Sequence, residues 1–485
     1  MDDIIPPSGA ATANTATQSA SPQSTTDQPF DALPLSAGML TNLRQLDYLT
    51  MTPIQATALP LALQGHDLIA QAKTGSGKTA AFTLPLLSRL NPQRLDVQAL
   101  VLCPTRELAD QVTQEIRRLA RFADNIKVVS LCGGTPMRPQ RESLAHGAHV
   151  AVGTPGRIMD HLQRESLDLA ALNTLVLDEA DRMLDMGFHD DIAWIASHCP
   201  TQRQTLLFSA TFPEGIEKLA QRFLRAPKEV KLAELHAADK IRQRFFEIDH
   251  PARLQAVATL LKHYRPASTL AFCNTRQQCR ALVDLLRAEG FHALALHGEM
   301  EQRDRDQVLI QFANRSCAVL VATDVAARGL DIAQLKAVVN VDITPDPEVH
   351  IHRIGRTGRG DAEGLVLSLC SNADKRRVET IAQAMGFTPQ WDDIDALSIE
   401  DASPLQAPMA TLLILGGRKD KIRPGDVLGA LTGDAGFSRE QIGKITVTDQ
   451  TTYVAVVRDI ARDAVRRLSA GKLKGRTVKV RALET

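Results

Sequence analysis

Residues 72–79 read Ala-Lys-Thr-Gly-Ser-Gly-Lys-Thr, and this stretch decides the fold of the chain. The short apolar run 67–70 precedes it and a helical pattern follows, so it is predicted to link a buried strand to a helix. Gly75 and Gly77 let backbone N–H groups point inward at phosphate oxygens, and the start of a helix favours anions. The stretch therefore predicts a phosphate-binding loop at the end of a strand in a parallel sheet.

Two side chains of this loop carry specific expectations. Lys78 is expected to reach the β- and γ-phosphates of a nucleoside triphosphate, and Thr79 is expected to place its hydroxyl on Mg²⁺. Ala72 stands where the general pattern has its first glycine. The loop residues predicted to bind ATP are Ala72, Thr74, Gly75, Ser76, Gly77, Lys78 and Thr79.

Short apolar runs alternate with helical patterns in two series along the chain. The first series occupies 67–70, 99–103, 128–132, 150–152, 175–177 and 205–208, and the second occupies 269–272, 293–296, 318–321, 337–341 and 364–369. Such runs are typical of buried strands in parallel sheets. We therefore predict two α/β domains that join near 228–242, with ligands bound at the carboxyl ends of the strands.

The composition limits the class of protein. The chain has 485 residues, which is room for about three domains. Its seven cysteines form no C-x-x-C pair, so a zinc site and a disulfide framework are not expected, and a reducing cytoplasm is favoured. No apolar run reaches the ~18 residues of a membrane span, and the N-terminus lacks the basic start and apolar core of an export signal.

Charge is unevenly distributed although the net formal charge is zero. Residues 386–410 contain five acidic side chains and no Lys or Arg, so we predict a flexible acidic linker there. Residues 411–485 carry 15 Lys or Arg against eight Asp or Glu, which indicates that this unit meets a polyanion. Residues 1–29 have few large apolar side chains to bury and are predicted to be a disordered tail.

Two further motifs complete a predicted catalytic site. Asp178 and Glu179 follow a predicted strand: Asp178 is expected to hold Mg²⁺ largely through water, and Glu179 to orient or deprotonate the attacking water. Arg356 and Arg359 can flank one phosphate, because planar guanidinium groups pair with phosphate oxygens. Since the arginines lie in the second series of strands, two domains are expected to close on one nucleotide and to hydrolyse it when closed.

With these motifs, residues 30–385 resemble the DEAD-box RNA helicases. The motifs of that family appear in family order at 52–55, 72–79, 104–109, 133–134, 154–157, 178–181, 209–211, 302 with 305, 327–331 and 352–359. The resemblance implies two RecA-like parallel-sheet domains, at 30–228 and 240–385, that use ATP and Mg²⁺ to act on RNA.

The resemblance also implies roles around the nucleotide and between the domains. Gln55 would read the adenine edge with Thr52 beside it, Phe30 would stack on the ring, and Asp331 would contact the ribose. Asp47 stands where the family usually has glycine. The residues implied to couple the state of ATP to domain closure are Ser209, Thr211, Arg328 and His352. For His352 we expect an interdomain contact rather than a general base.

The RNA-facing motifs of the core follow predicted strands and offer hydroxyls, backbone N–H groups and guanidinium groups. Such groups suit a sugar–phosphate backbone and therefore bind RNA of any sequence. For each threonine taken alone, a helix-capping role is an open alternative. The residues predicted to contact RNA are Thr105, Arg106, Gly134, Thr154, Arg157, Thr275, Arg305 and Thr323.

The basic unit at 411–485 resembles the DbpA-type RNA-binding domain, with the order β-α-β-β-α-β of an RRM. An RRM usually stacks bases on two or three sheet aromatics, but here Tyr453 is the one candidate, and a plain surface tyrosine is the open alternative. The basic residues predicted to bind RNA are Arg418, Lys419, Lys421, Lys444, Lys472, Lys474 and Arg476. The resemblance implies a structured target, namely a hairpin of large-subunit ribosomal RNA.

Three functional hypotheses remain open at this stage. The first is a monomeric ATP-dependent RNA helicase that unwinds structured RNA locally during ribosome assembly, bound to pre-ribosomal particles. The second is an ATP-gated RNA clamp or scaffold with little unwinding. The third, a DNA translocase, rests only on the two-domain core shared by such enzymes.

Overall fold

The computed structural model describes residues 28–72, 75–211, 214–231, 241–327, 335–358, 363–399, 401, 403 and 405–483. Residues 1–27, which make up most of the predicted tail, lie outside the described residues. The same holds for four predicted site residues, Thr74, Arg328, Asp331 and Arg359.

Domain 1 is a seven-stranded parallel sheet with helices on both faces. Its strands are β1 Leu68–Gln71, β2 Ala99–Leu102, β3 Val128–Leu131, β4 Val150–Gly153, β5 Thr174–Asp178, β6 Gln204–Ser209 and β7 Lys228–Lys231. Its helices are α1 Ala37–Gln45, α2 Pro53–Leu63, α3 Lys78–Ser88, α4 Arg106–Leu119, α5 Met137–Ala145, α6 Pro155–Gln163, α7 Ala180–Asp185, α8 His189–Ser197 and α9 Glu214–Phe223. The strand order is β3-β4-β2-β5-β6-β1-β7.

Domain 2 repeats this architecture. Its strands are β8 Ile241–Glu247, β9 Thr269–Cys273, β10 Ala293–Leu296, β11 Val319–Thr323, β12 Ala337–Asn340, β13 Gly364–Cys370 and β14 Trp391–Asp392, in the order β10-β11-β9-β12-β13-β8-β14. Its helices are α10 Arg253–Tyr264, α11 Arg276–Ala288, α12 Gln302–Ala313, α13 Asp324–Ala327, α14 Pro347–Ile354 and α15 Lys375–Met385.

Strands such as β2 and β6 are buried on both faces, which explains why they are nearly continuous apolar runs. In β6, Leu206 and Phe208 pack into one core cluster while Leu207 between them packs into the other. Successive side chains of a strand point to opposite faces, so a strand covered by helices on both sides cannot alternate polar and apolar residues. The predicted strands of both series are confirmed for this reason.

The C-terminal domain is a four-stranded antiparallel sheet with two helices. Its elements are β15 Met409–Leu415, α16 Pro424–Gly429, β16 Ile442–Val447, β17 Thr451–Val457, α17 Ala461–Ala470 and β18 Val480–Ala482. The sheet order is β16-β17-β15-β18, so the predicted β-α-β-β-α-β order of an RRM is confirmed. Across the described parts of all three domains, no helix combines the length and the apolar character that a bilayer crossing needs.

The segment 386–410 was expected to be a flexible linker, but its described residues contact domain 2 at several points. Its strand β14 pairs with β8, and Asp392 forms an ion pair of 3.2 Å with Arg244. Further on, the Ala407 backbone N–H donates to His292 Nδ1 at 2.9 Å. The acidic composition of the segment hid these contacts, because its apolar residues are too widely spaced to form a periodic pattern.

Candidate active site at the domain interface

The phosphate loop lies between β1 and α3, as the sequence predicts. Gly75 and Gly77 have left-handed φ values of 82° and 93°, and Gly77 is the N-cap of α3. A Cβ atom on Gly77 would lie only 2.5 Å from Gln55 Nε2 and 2.9 Å from Thr52 Oγ1. The loop therefore requires glycine here for its conformation and for its close approach to α2.

Gln55 ties the start of α2 to this loop. Its Nε2 donates to the Gly77 carbonyl at 3.0 Å, and its Oε1 accepts from the Thr52 backbone N–H at 2.9 Å. The glutamine is 1% exposed and is thus buried between α2 and the loop. Its predicted contact with the adenine edge stays a prediction.

Phe30 lies in the hydrophobic core of domain 1. It is 3% exposed and packs edge-on against Tyr48, with 6.1 Å between the ring centroids. Its predicted stacking on the adenine ring stays a prediction. Nearby Asp47 has a left-handed φ of 61°, a conformation that explains why glycine is usual at this position in proteins with the same motif.

Lys78 and Asp178 are buried beside each other at the carboxyl end of the sheet. They are 6% and 3% exposed, and neither Lys78 Nζ nor Asp178 Oδ1 has a hydrogen-bond partner among the described residues. Burial raises the pKa of Asp178 to about 7, with Lys78 opposing the rise and Glu179 adding to it. Buried charges without such partners are costly, so these atoms fit a site that an anion and a cation complete.

Glu179 is held in a strained backbone conformation at the start of α7, with a left-handed φ of 52°. Burial by itself raises its pKa, but the charges of Arg182, Lys78 and Arg356 lower the pKa below its ordinary value. The carboxylate is therefore ionised at neutral pH. Arg356 belongs to domain 2 and is 3% exposed, and its charge acts on Glu179, so the structure brings these two predicted site residues near each other.

Asp181 connects the acidic motif to the Ser-Ala-Thr motif. Its Oδ2 accepts hydrogen bonds from the backbone N–H groups of Ala210 and Thr211, at 3.1 and 2.9 Å, and from Thr211 Oγ1 at 3.0 Å. The Ser209 hydroxyl donates to the Thr211 carbonyl at 2.7 Å. Although burial opposes it, the hydrogen bond with His352 helps to hold the pKa of Asp181 well below its usual range.

The two domains meet at a second place, away from the nucleotide loop. Arg106 Nη1 donates to Gln302 Oε1 at 3.1 Å, and Arg305 Nη2 lies 2.9 Å from Glu107 Oε1. Gln302 Nε2 also faces Glu107 Oε1 at 3.4 Å. The structure is thus a closed form in which predicted RNA-facing residues of both domains contact one another.

The predicted RNA-facing residues lie at helix starts and strand ends, and some of them form hydrogen bonds within the protein. Thr105 and Thr275 cap α4 and α11, accepting from the backbone N–H groups three residues on at 3.3 and 3.2 Å, so the capping alternative holds for both. Thr154 is the N-cap of α6 without such a side-chain bond, and Thr323 ends β11. Arg157 Nη1 donates to Gln140 Oε1 at 2.9 Å. None of these placements tests a contact with RNA.

Gly134 is needed for the position of Arg106. Its φ is 73°, and a Cβ atom there would overlap the Arg106 guanidinium. The glycine therefore lets the arginine cross the loop and reach Gln302 in domain 2.

The C-terminal domain packs directly on domain 2. Thr411 Oγ1 contacts Ser316 Oγ at 2.7 Å and accepts from Asn314 Nδ2 at 3.1 Å. Arg458 Nη2 donates to the carbonyls of Ser316, at 3.2 Å, and Met409, at 2.6 Å. These buried polar contacts set the orientation of the RNA-binding domain on the core.

Tyr453 lies inside this interface, which corrects the expectation that it stacks on RNA. It is 4% exposed and packs with Leu413 and Leu483 against Ile310 of domain 2. The sheet face that an ordinary RRM offers to bases is here covered by protein. All seven predicted basic residues of this domain, by contrast, are exposed.

Three of the basic residues, Lys421, Lys474 and Arg476, line a groove of about 280 Å³ beside Leu415. Lys474 also lies 3.2 Å from Asp426.

Sequence reasoning missed several residues that hold the site together. Arg182 directly follows the acidic motif, Glu107 lies within a predicted motif, and Arg353 lies within the arginine motif. Arg353 is 2% exposed and donates twice to Asp324, at 2.7 Å each. The positions of these three residues inside or beside motifs could have identified them from the sequence. No sequence pattern indicates the interdomain role of Arg458.

Comparison with known families agrees with this geometry. The family model described as DEAD/DEAH box helicase matches residues 52–219, and the model for the helicase conserved C-terminal domain matches residues 252–361. The model described as DbpA RNA binding domain matches residues 411–482.

Individual relatives extend these matches over most of the chain. The ATP-dependent RNA helicase DbpA of Escherichia coli is 52% identical over 93% of this chain and 98% of its own length. The Bacillus subtilis protein of the same name is 35% identical over the same shares. Among solved structures, Dbp5 of S. cerevisiae bound to RNA and ADP BeF3 is 30% identical, with a TM-score of 0.70 over 76% of this chain and 96% of that chain.

Proposed function

The chain belongs to the DEAD-box family of ATP-dependent RNA helicases, and on that premise we propose that it locally unwinds large-subunit (23S) ribosomal RNA during ribosome assembly. The observation that supports this most is the basic RNA-binding domain, which is of DbpA type and packs on domain 2 beside the closed cleft. A structured hairpin bound there would be held at a set distance from the RNA path of the core.

The nucleotide site fits ATP with Mg²⁺. Lys78 would bind the β- and γ-phosphates, and Thr79 and Asp178 would hold the ion, largely through water. The buried Lys78 Nζ and Asp178 Oδ1, which lack hydrogen-bond partners among the described residues, support this assignment. When bound, the ion would supply charge neutralisation at the phosphates.

The other residues of the site would act on the water and on domain closure. Glu179 is ionised and buried, which suits a carboxylate that orients the attacking water. Arg356, and Arg359 beyond it, would stabilise the charge of the transferring phosphoryl group. Because Arg356 comes from domain 2, fast hydrolysis would require the closed form.

RNA would cross both domains on residues that contact its backbone. The core can read little sequence through such contacts, so it would unwind whatever duplex is brought to it. Target choice would then depend on the C-terminal domain, through its exposed basic side chains rather than through Tyr453.

The seven cysteines are all free and buried, which agrees with a protein that acts in the reducing cytoplasm. We propose a monomer bound to pre-ribosomal particles.

An ATP-gated RNA clamp is the second candidate. The closed form, with contacts between the domains that include Arg305–Glu107 and His352–Asp181, would serve a clamp as well as a helicase. A strand-displacement assay on a short duplex beside a hairpin of ribosomal RNA separates the two. Helicase action predicts ATP-dependent release of the strand, whereas a clamp would retain the duplex.

The DNA translocase hypothesis is tested by replacing the RNA with DNA of the same sequence. It predicts that DNA stimulates the ATPase activity as strongly as RNA does.

Removal of residues 409–485 tests the source of target choice. The cut leaves the segment that ends at Ala407 in place, and Ala407 is 1% exposed against domain 2. We expect the shortened chain to keep ATP hydrolysis with RNA but to lose its preference for ribosomal RNA. The measurement is ATPase stimulation by ribosomal RNA and by an unrelated RNA of equal length.

A matched control keeps the fold of the full chain. Neutralising Lys472, Lys474 and Arg476 with glutamine should reproduce the loss of preference. It should also reduce the slope of the logarithm of the binding constant against the logarithm of the salt concentration by about one for each phosphate contact removed. Neutralising Arg462 and Arg466 on α17 should not reproduce the loss of preference. Equal discrimination by the full and the shortened chain would place target choice in the core.

A further inference from the structure

Arg182 joins the catalytic carboxylate to the other domain. It lies on α7 and is 3% exposed, with its Nε 3.4 Å from Glu179 Oε2. Its Nη2 lies 3.4 Å from Nδ1 of His352, which belongs to α14 of domain 2. We propose that Arg182 is a positioning residue that holds Glu179 in its water-orienting position only while His352 is docked. This inference rests on the role proposed above for Glu179.

The contact also fixes the protonation of His352. A guanidinium group is a donor only, so Nδ1 of His352 must accept from Arg182 and carries no proton. The proton is therefore on Nε2, which lies 3.5 Å from Asp181 Oδ2. Both ring nitrogens are thus engaged, Nδ1 with Arg182 and Nε2 with Asp181, and both contacts depend on domain closure.

Arg182 has few other constraints on its orientation. Its Nη1 is buried with no hydrogen-bond partner among the described residues, so the guanidinium plane is set by Glu179 on one side and His352 on the other. When domain 2 moves away, Nη2 loses its acceptor. The side chain can then rotate, and Glu179 loses a fixed partner. Because the planar guanidinium group of Arg182 contacts both the Glu179 carboxylate and domain 2, it would couple domain closure to the alignment of Glu179.

An ordinary helical ion pair does not have these features. Arg118 and Glu115 on α4 have the same three-residue spacing and the same distance of 3.4 Å. Their side chains are 42% and 21% exposed, against 3% and 4% for Arg182 and Glu179. A partly exposed pair of this kind contributes little, whereas the buried pair lies next to the proposed position of the attacking water.

The test compares hydrolysis with binding in the full chain. In Arg182→Ala, single-turnover hydrolysis of ATP on RNA should fall about 100-fold, as expected when a catalytic group is slightly misplaced. The affinities for RNA and for a non-hydrolysable ATP analogue, and the cooperativity between them, should stay unchanged because the other interdomain contacts remain. Arg182→Lys should recover part of the rate, since it restores a charge beside Glu179 without the planar contact to both partners. Arg118→Ala is the matched control and should retain the wild-type rate.

A spectroscopic measurement does not depend on activity. In the wild-type chain with RNA and the analogue bound, ¹⁵N-histidine spectra should show His352 protonated at Nε2 only, with its signal assigned from His352→Gln. Arg182→Ala should shift His352 toward a mixture of tautomers. A wild-type His352 protonated at Nδ1 would overturn the proposal even if the variants failed to fold.

Other outcomes separate this inference from the proposed function. Stalled hydrolysis in Glu179→Gln together with a normal rate in Arg182→Ala would overturn this inference alone. A normal rate in Glu179→Gln would overturn both. Equal losses of hydrolysis and of cooperative binding in Arg182→Ala would assign Arg182 to domain closure and also overturn the positioning role.

Discussion

Lys78→Ala should abolish ATP binding and turnover without unfolding the protein. Lys78 Nζ is buried and has no hydrogen-bond partner among the described residues, so its charge is available to the phosphates. Removing one partner of a buried charge pair costs about 2–5 kcal/mol, which corresponds to an affinity loss of about 30-fold to several thousand-fold. Equilibrium binding of an ATP analogue and RNA-stimulated ATPase activity measure the effect.

Two controls make this first result specific. Thermal unfolding of Lys78→Ala without nucleotide shows whether the fold survives. Lys228→Ala changes an exposed lysine on the edge strand β7 of the same domain and should bind ATP normally. Wild-type ATPase activity in Lys78→Ala would mean that the loop at 72–79 does not bind the nucleotide.

Glu179→Gln should bind ATP and RNA but stall hydrolysis. The amide has nearly the shape of the carboxylate but cannot accept a proton or orient water as a charged base, and such groups typically contribute about 10²–10⁴-fold in rate. Asp178 stays in place to hold the ion, so nucleotide affinity should be retained. Single-turnover hydrolysis and the lifetime of the RNA complex in ATP are the measurements.

The stalled variant should also hold RNA longer than the wild type, because ATP persists and the domains stay closed. Glu165→Gln, on the loop after α6 of the same domain, serves as the matched control and should release RNA normally. If Glu179→Gln turned over ATP at the wild-type rate, another group would orient the water.

Several elements could be found from the sequence because their signals are local. Strands buried on both faces, such as β2 and β6, are continuous apolar runs, and the phosphate loop needs glycine at fixed positions. Edge strands such as β7 and β14 were missed. They are short, with β7 largely exposed and β14 only partly buried, so no apolar run marks them.

Side-chain partners across the molecule could not be predicted in the same way. Thr105 and Tyr453 carry residue types that suit RNA, yet one caps a helix and the other is buried against domain 2. The chemical type of a side chain limits the contacts that it can make, whereas the packing of the folded chain determines which of those contacts it does make. For this reason the predicted stacking on Tyr453 was not supported, although the predicted RRM order was confirmed.

The two parallel-sheet domains, the phosphate loop, the acidic motif and the basic C-terminal unit could be predicted from local sequence, because each depends on residues close together in the chain. Domain packing was needed to show that Arg182 lies between Glu179 and His352, and that the RNA-binding domain packs on domain 2 rather than hanging on a flexible linker. These arrangements join groups separated by up to 170 residues, as Arg182 and His352 are. Contacts at such separation arise from how folded domains pack, and no local periodicity or motif encodes them.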